Sequence, residues 1–202
     1  MTVRRYITQN QDDARKKITQ GDGYYQDISK LKKTANVTVI DTTNYNTFID
    51  EVTGDQSTYL NGSVNNFYDP YRNKIISQQD AKISGHICVP FLFTQSGIKP
   101  LTSVSMSRRY VEIFDHFSGC DAIGVIGFGF NSDDGHINGL FRELIEDTNK
   151  KVVIFHFPAH EITKYDEKLR IVNSSNLIVE NISKDRETNE QSWVDQLIDH
   201  AS

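Results

Sequence analysis

The sequence predicts an α/β fold in which a parallel sheet is flanked by helices. Three observations carry that expectation. Apolar, largely β-branched runs recur at residues 37–40, 122–126, 152–155 and 177–179. Segments with helical periodicity alternate with the later runs, giving strand, helix, strand, helix, strand, helix. The runs themselves read as near-continuous apolar strands, as expected where both faces of a sheet are covered. With 202 residues the chain is long enough for one domain and short for two. The expected organisation is a helical arm over 1–35 and an α/β core over 36–202.

Taken in order, residues 12–33 are polar and helix-prone, and Gly21 and Gly23 break them in two. Ile18, Tyr24, Tyr25, Ile28 and Leu31 are their few apolar residues, which fits surface helices. VTVID at 37–41 reads as a short buried strand that runs directly into TTNYN, and TFIDEV reads as the first turns of a helix. Residues 54–82 are dominated by Gly, Ser, Asn, Asp, Pro and Tyr, with Asn-Gly and Asp-Pro turn signals. This predicts a long loop, of the kind that is usually functional or a docking surface.

ISGHICVPFLF is a strand-like apolar run interrupted by Pro90. Residues 105–117 predict a helix capped by Ser105 or Ser107, with Tyr110, Ile113, Phe114 and Phe117 on one face. DAIGVIGFGF predicts a strand ending in glycines, and NSDDGHINGLFRELIED the helix after it. KKVVIFHFP predicts a strand closed by Pro158, 165–173 a helix, NLIVENI a last strand and 187–200 a last helix.

Composition narrows the function. Hydrophobic residues are 37% and charged residues 24%, a globular rather than a disordered balance. The net charge of −5 argues against a general binder of nucleic acid or anionic membrane, both of which need a positive field. Only Arg4-Arg5, Lys16-Lys17, Lys32-Lys33 and Arg108-Arg109 cluster at all. No apolar run approaches bilayer length, and the charged N-terminus has no apolar core of a secretory signal, so a cytoplasmic protein is expected. Cys88 and Cys120 belong to no Cys-x-x-Cys pair, which predicts reduced core cysteines, no disulfide framework and no metal.

In open α/β sheets ligands bind beyond the carboxyl ends of the strands. Three such ends carry unusual residues: DTTNYN, GFGFNSDDGHIN and FHFP. Gly127 and Gly129 let a ligand approach the backbone, and the helix start after them suits a phosphate or ribose, though a glycine pair at a strand end also serves simple turn geometry. Asp133 and Asp134 most simply stabilise a helix N-terminus. His136 and Asn138 either reach a ligand or cap that helix. The aromatic residues Tyr59, Phe67, Tyr68 and Tyr71 read as packing on the core rather than as a stacking platform.

The run Asp41-Thr-Thr-Asn-Tyr-Asn46 resembles the Thr-Thr-Asn-Tyr-Asp motif of sirtuin-like proteins, the silent-information-regulator family of NAD-consuming enzymes. IGFGFNSDDGHINGLF resembles the glycine-serine motif of that family's bacterial, zinc-free branch. NLIVENISKDRETNEQSWVDQLI resembles its closing strand and helix. The resemblance covers the chain from about residue 10 onward. It implies a Rossmann-like NAD site with Asn44 and His86 as catalytic residues. Thr42, Thr43, Asn46, Gly127, Phe128, Gly129, Asp133 and His136 would hold the nucleotide, and Asn44, Gly127 and Gly129 would face one cleft.

The family's opening Gly-Ala-Gly-x-Ser motif does not occur in these residues, so the expected fold is incomplete relative to the family. The implied role is a fragment or half of an NAD glycohydrolase of the anti-phage defence type. A second chain or a missing N-terminal half would complete it, and a homo-oligomer is a further option. Asn46 stands where the family has Asp, and Asn61 where a His-Gly pair is expected. Asn cannot exchange a proton near neutral pH, which leaves His86 as the base, since His116 is less suitably placed. Each choice keeps a structural alternative: Asn44 as a turn-forming residue capping the next helix, and His86 as a histidine of an apolar strand. The rival to the enzyme is a non-catalytic nucleotide-sensing or interaction module on the same fold. Nucleoside or nucleotide processing at the same site ranks third.

Overall fold

The structure is a computed structural model that describes residues 11–34, 37, 39–92, 104–157, 164–188 and 190–202. They fall into two compact units, one within Met1–Thr94 and Pro100–Glu112, the other within Gln95–Lys99 and Ile113–Ser202.

The first unit opens with α1 (Gln11–Gln20) and α2 (Tyr24–Thr34), separated at the two glycines as the sequence predicts. The next element departs from expectation. The strand predicted at 37–40 is not formed by the described residues there; β1 is Asp41–Thr42. It pairs in parallel with β2 (Thr58–Tyr59), flanked by bonds from Thr58 N to the Ile40 carbonyl and from Leu60 N to the Thr42 carbonyl. Val37, Val39 and Ile40 are only half-buried. Their β-branched composition is that of a core strand, but the ladder is set by where the 58–59 partner lies.

After α3 (Phe48–Thr53) comes a three-stranded antiparallel sheet, β3 (Gly62–Asp69), β4 (Lys74–Ser77) and β5 (Val89–Leu92), in the order β4-β3-β5. A short helix, α4 (Gln78–Ile83), follows β4. The long loop predicted over 54–82 is therefore largely regular structure. Its composition misled because β3 is rich in Asn and turn formers, and its stability comes from cross-strand partners such as Phe67↔Ile76 and Asn66↔Ser77. Both turn signals sit where turns occur: Asn61-Gly62 leads into β3, and Asp69-Pro70 opens the hairpin turn to β4. Pro90 is tolerated because β5 is an edge strand, where one missing N–H does not break a central ladder. His86 lies in the bend before β5 and not within a strand.

The helix predicted at 105–117 is α5 (Val104–Gly119). Ser105 and Ser107 fall within α5, whose described residues begin at Val104. Ile113 and Phe117 are its buried residues, with Tyr110 and Phe114 half-buried beside them.

The second unit contains three of the four predicted strands in one parallel sheet: β6 (Ala122–Ile126), β7 (Lys151–His156) and β8 (Leu177–Asn181), in the order β6-β7-β8. The register aligns Val125 with Ile154 and Ile154 with Val179. Val152, Val153 and Ile154 of the central strand are buried whichever face they point to, so helices cover both sides. A 3-10 turn, Ser132–Asp134, leads into α6 (Gly135–Glu146), which buries Ile137, Leu140, Phe141, Leu144 and Ile145.

α7 (Tyr165–Leu169) is shorter than the predicted 165–173 because Arg170 takes a left-handed conformation and ends it. The last helix, predicted from 187, begins at 193: a small hairpin of β9 (Glu187–Thr188) and β10 (Gln191–Ser192) precedes α8 (Trp193–Ala201). α8 lies against β6, where Leu197 occupies the space a side chain on Gly124 would need.

Ser192 caps α8. Its hydroxyl accepts from the Asp195 backbone N–H at 3.2 Å and donates to the Asp195 carboxylate at 2.7 Å. Ser192→Ala should lower stability by about 1 kcal/mol, measured as a lower urea midpoint with an unchanged slope. An unchanged midpoint would show that the cap contributes nothing. Among the described residues no helix is long and apolar enough to cross a membrane.

Candidate functional site

In the first unit the residues of the Asp41–Asn46 run are held by their own neighbours. Thr42 Oγ1 accepts from the Asn44 backbone N–H at 3.1 Å, a turn closed by a side chain. Asn46 Oδ1 accepts from Phe48 N at 3.3 Å, so Asn46, and not Asn44, serves the start of α3. Asn44 is exposed, and its amide donates to the Tyr25 hydroxyl at 3.0 Å. Asn61 is buried, and its amide reaches the Thr43 carbonyl at 3.5 Å.

The base of this run is fixed by Asp50. Its carboxylate accepts from Ser57 N at 2.9 Å and from the Tyr59 hydroxyl at 2.6 Å. Burial, and then the adjacent Asp50 carboxylate, push the Tyr59 phenol pKa well up. Arg109 is half-buried with its guanidinium 5.8 Å from the centre of the Phe91 ring. Burial lowers its pKa, while the charges of Asp41 and Glu112 oppose that.

The most organised polar cluster surrounds His86. Its Nε2 lies 2.7 Å from Asp69 Oδ1, and Asp69 is 0% exposed. Oδ1 also accepts from the backbone N–H groups of Tyr71 at 3.0 Å and Arg72 at 3.1 Å. Burial would raise the Asp69 pKa, but the bonds from Arg72, His86 and Tyr71 outweigh it and hold the carboxyl below its ordinary range. With Asp69 ionised, Nε2 is the donor in this bond, and Nδ1 is the ring atom left for exchange with a substrate. The Tyr71 ring lies 5.2 Å from the imidazole, centre to centre. Asn44 and His86 are not hydrogen-bonded to each other: the one is engaged by Tyr25, the other by Asp69.

In the second unit the glycine turn follows β6. Gly127 is exposed with φ +68°, and a Cβ there would meet nothing within 4 Å. The backbone conformation, not crowding, selects glycine. Phe130 also has a positive φ, 49°, although it is 1% exposed. It is held by edge-on rings of Phe128, Phe141 and Tyr165 at 4.8, 5.3 and 5.9 Å.

Two side chains tie this turn down. Asn138 donates to the carbonyls of Asn131 at 2.9 Å and Phe130 at 3.5 Å, which identifies it as a fastener of the turn. Lys168 Nζ donates to the Gly129 carbonyl at 2.8 Å. Asp133 is exposed at the helix start, Asp134 is buried, and His136 and Phe128 are half-buried. Asn44 belongs to the first unit, and Gly127 and Gly129 to the second.

Asp69 escapes a reading of the sequence. Asp69 looks like half of an Asp-Pro turn signal, and only the fold places it under His86. His156 ends the central strand, shares a 2.8 Å hydrogen bond through Nδ1 with the Tyr165 hydroxyl, and has a buried Nε2 with no hydrogen-bond partner among the described residues. His156 lies in FHFP, one of the three strand ends with unusual residues in the sequence. Of the aromatic residues, Tyr59 is core, whereas Tyr71 is strongly exposed. Both cysteines are free and half-buried rather than buried in the core.

No protein-family model matches the chain, and no curated protein does. Among solved structures, one from a study of the mechanism and regulation of Sir2 enzymes is similar at 14% identity, covering 96% of this chain and 76% of that one with a TM-score of 0.48. A Sir2 complex with the inhibitor EX-527, 2'-O-acetyl-ADP-ribose and deacetylated p53 peptide is similar at 13% identity, covering 87% and 71% with a TM-score of 0.47. A Sir2–p53 peptide–NAD+ complex gives 13% identity, 80% and 66% coverage and a TM-score of 0.45.

Proposed function

We propose that this protein binds NAD and hydrolyses it to nicotinamide and ADP-ribose, with His86 as the general base. The observation that carries the catalytic part is the 2.7 Å bond between His86 Nε2 and the wholly buried Asp69 carboxylate. A carboxylate that orients an imidazole and stabilises its protonated form is the usual support for a base. Nδ1 of His86 takes a proton from water as the water oxygen bonds to the ribose C1' and the bond from C1' to the nicotinamide nitrogen breaks.

Within the second unit, Gly127 at an exposed strand end followed by a helix start has the pattern of a nucleotide contact. Asp133 at that helix start favours ribose hydroxyls over phosphate, since a carboxylate accepts hydrogen bonds and repels an anion. Thr42, Thr43, Asn44 and Asn46 are proposed to contribute as the sirtuin-like resemblance implies. A cytoplasmic, anti-phage role follows from the same reading, because depleting NAD starves an infected cell's metabolism. A second chain bearing a glycine-rich turn is proposed to raise turnover.

The rival reading is nucleotide binding without turnover. It is favoured by Asn61, which cannot serve as a base, and by the engagement of the Asn44 amide with Tyr25. Nicotinamide release from NAD and calorimetric binding of ADP-ribose separate the two. The enzyme reading expects slow release that falls at least about 100-fold in His86→Ala while ADP-ribose binding persists. Binding with no release at any protein concentration would establish the rival. Release that survives His86→Ala would show that the base is another group.

A further inference from the structure

We propose that Asp69, His86 and Cys88 form a binding site for one divalent cation of zinc-like character. The ligating atoms of these residues, one each, lie within 4.8 Å of one another. Ligands of a tetrahedral zinc ion stand about 3.3–3.8 Å apart, given bonds of about 2.0–2.3 Å, so small side-chain rotations bring all three onto one ion.

The fold makes this convergence. β3 and β5 run antiparallel with Phe67 opposite Pro90 and Tyr68 opposite Val89. Continuing the same register by one residue puts Asp69 opposite Cys88. The bend over residues 84–86 then returns His86 to the same carboxylate at 2.7 Å.

Two further observations separate this cluster from the acidic groups common on protein surfaces. Asp69 is wholly buried, and its Oδ2 accepts no hydrogen bond among the described residues; Arg72 Nε lies 3.9 Å from it, on a mostly exposed side chain. A buried carboxylate oxygen without a hydrogen bond is costly, and a cation would satisfy it. The donor set also selects the ion. A thiolate, an imidazole and a carboxylate suit zinc or cobalt(II), whereas calcium and magnesium take oxygen ligands. Three protein ligands leave a fourth position for water. Binding releases the Cys88 thiol proton and uses an imidazole lone pair in place of a proton.

This site bears on the activity proposed above, and that clause alone rests on it: a bound cation occupies the imidazole that hydrolysis needs, so zinc would silence turnover. Binding itself can be tested without NAD. Tag-free protein freed of metal is titrated with cobalt(II), and absorbance is read. The expected result is one cobalt per chain, with a near-ultraviolet thiolate-to-metal band that zinc abolishes. Cys88→Ser should remove the band, and Cys88→Ser and His86→Ala should each weaken zinc binding more than about tenfold, with Cys120→Ser as an unaffected control. Asp69→Asn is a poorer test, because Asp69 also holds the backbone of the hairpin turn.

A band that persists in Cys88→Ser, the absence of any band in the wild type, or equal zinc affinity in wild type and both variants would overturn the site. Turnover by metal-free protein that zinc leaves unchanged would overturn its regulatory consequence. No turnover under any condition would count against the NAD reading and leave the cobalt result to stand on its own.

Discussion

Gly62→Ala should unfold the first unit, or come close to it. Gly62 has φ +83°, and an added Cβ would lie 1.9 Å from the Phe91 carbonyl oxygen, 2.7 Å from its carbon and 3.2 Å from Leu92 Cα. All three atoms are backbone, in the strand that pairs with Gly62 through Leu92. No rotamer change can relieve the overlap. β5 would have to move away, and Phe91, a buried residue, would leave the core with it. The left-handed conformation alone costs a non-glycine residue roughly 1–2 kcal/mol. The overlap adds to this, and the total should exceed about 3 kcal/mol, a loss reserved for a few drastic mechanisms. Gly127→Ala is the matched comparison. It has a similar φ of +68° but no atom within 4 Å of the new Cβ, so only the conformational cost applies. Urea unfolding followed by circular dichroism should rank Gly62→Ala far below Gly127→Ala. Equal losses would mean that β3 and β5 do not approach as described.

Trp193→Ala should cost about 3–5 kcal/mol, the range for truncating a buried large aromatic residue. Trp193 is 1% exposed, and its ring packs on Phe155 of the central strand with centres 5.4 Å apart. It is also the first residue of α8, and its backbone N–H donates to the Arg186 carbonyl at 3.1 Å. The indole therefore joins the last helix to the parallel sheet, and an alanine would leave a cavity beneath that helix. Trp193→Phe retains a ring against Phe155 and should lose much less. Since Trp193 is the only tryptophan, far-ultraviolet circular dichroism has to replace fluorescence as the probe. A loss below about 1 kcal/mol would be too small for a buried aromatic anchor and would reject the described packing of α8.

The parallel sheet of the second unit was legible because its information is local. KVVIFH is apolar enough to demand burial on both faces, AIGVI and LIVEN open as apolar runs of the same kind, and α6 between the first two strands shows a clear apolar stripe at Ile137, Leu140, Phe141, Leu144 and Ile145. The hairpin of the first unit was not legible. β3 contains Gly62, Asn65, Asn66 and Asp69, residues depleted in strands, and it is held by pairing on both sides. The run at 37–40 shows the converse: its residues favour a strand, yet among the described residues it contributes only the Ile40 carbonyl, and the ladder begins at Asp41. The candidate site divides in the same way. His86 stands out as a residue type, and Gly127 as a strand-end glycine. Asp69, 17 positions before His86, becomes its partner only through the register of β3 and β5. Asn138 was recognisable as a polar residue near the turn, but its choice between ligand and fastener depended on the distances to Asn131 and Phe130.

Pro90 has a further consequence for how the first unit meets other chains. β5 is an outer strand of its sheet, and such a strand ordinarily offers a row of donors and acceptors on which another polypeptide can add itself. Proline at the second position of a four-residue strand removes one donor from that row and shortens what remains. On the opposite margin β4 is also four residues long, begins with an exposed lysine and passes at once into α4. Both margins are thus poor templates for cross-chain pairing, which guards this small sheet against sheet-to-sheet aggregation even though its strands carry exposed apolar side chains such as Val89.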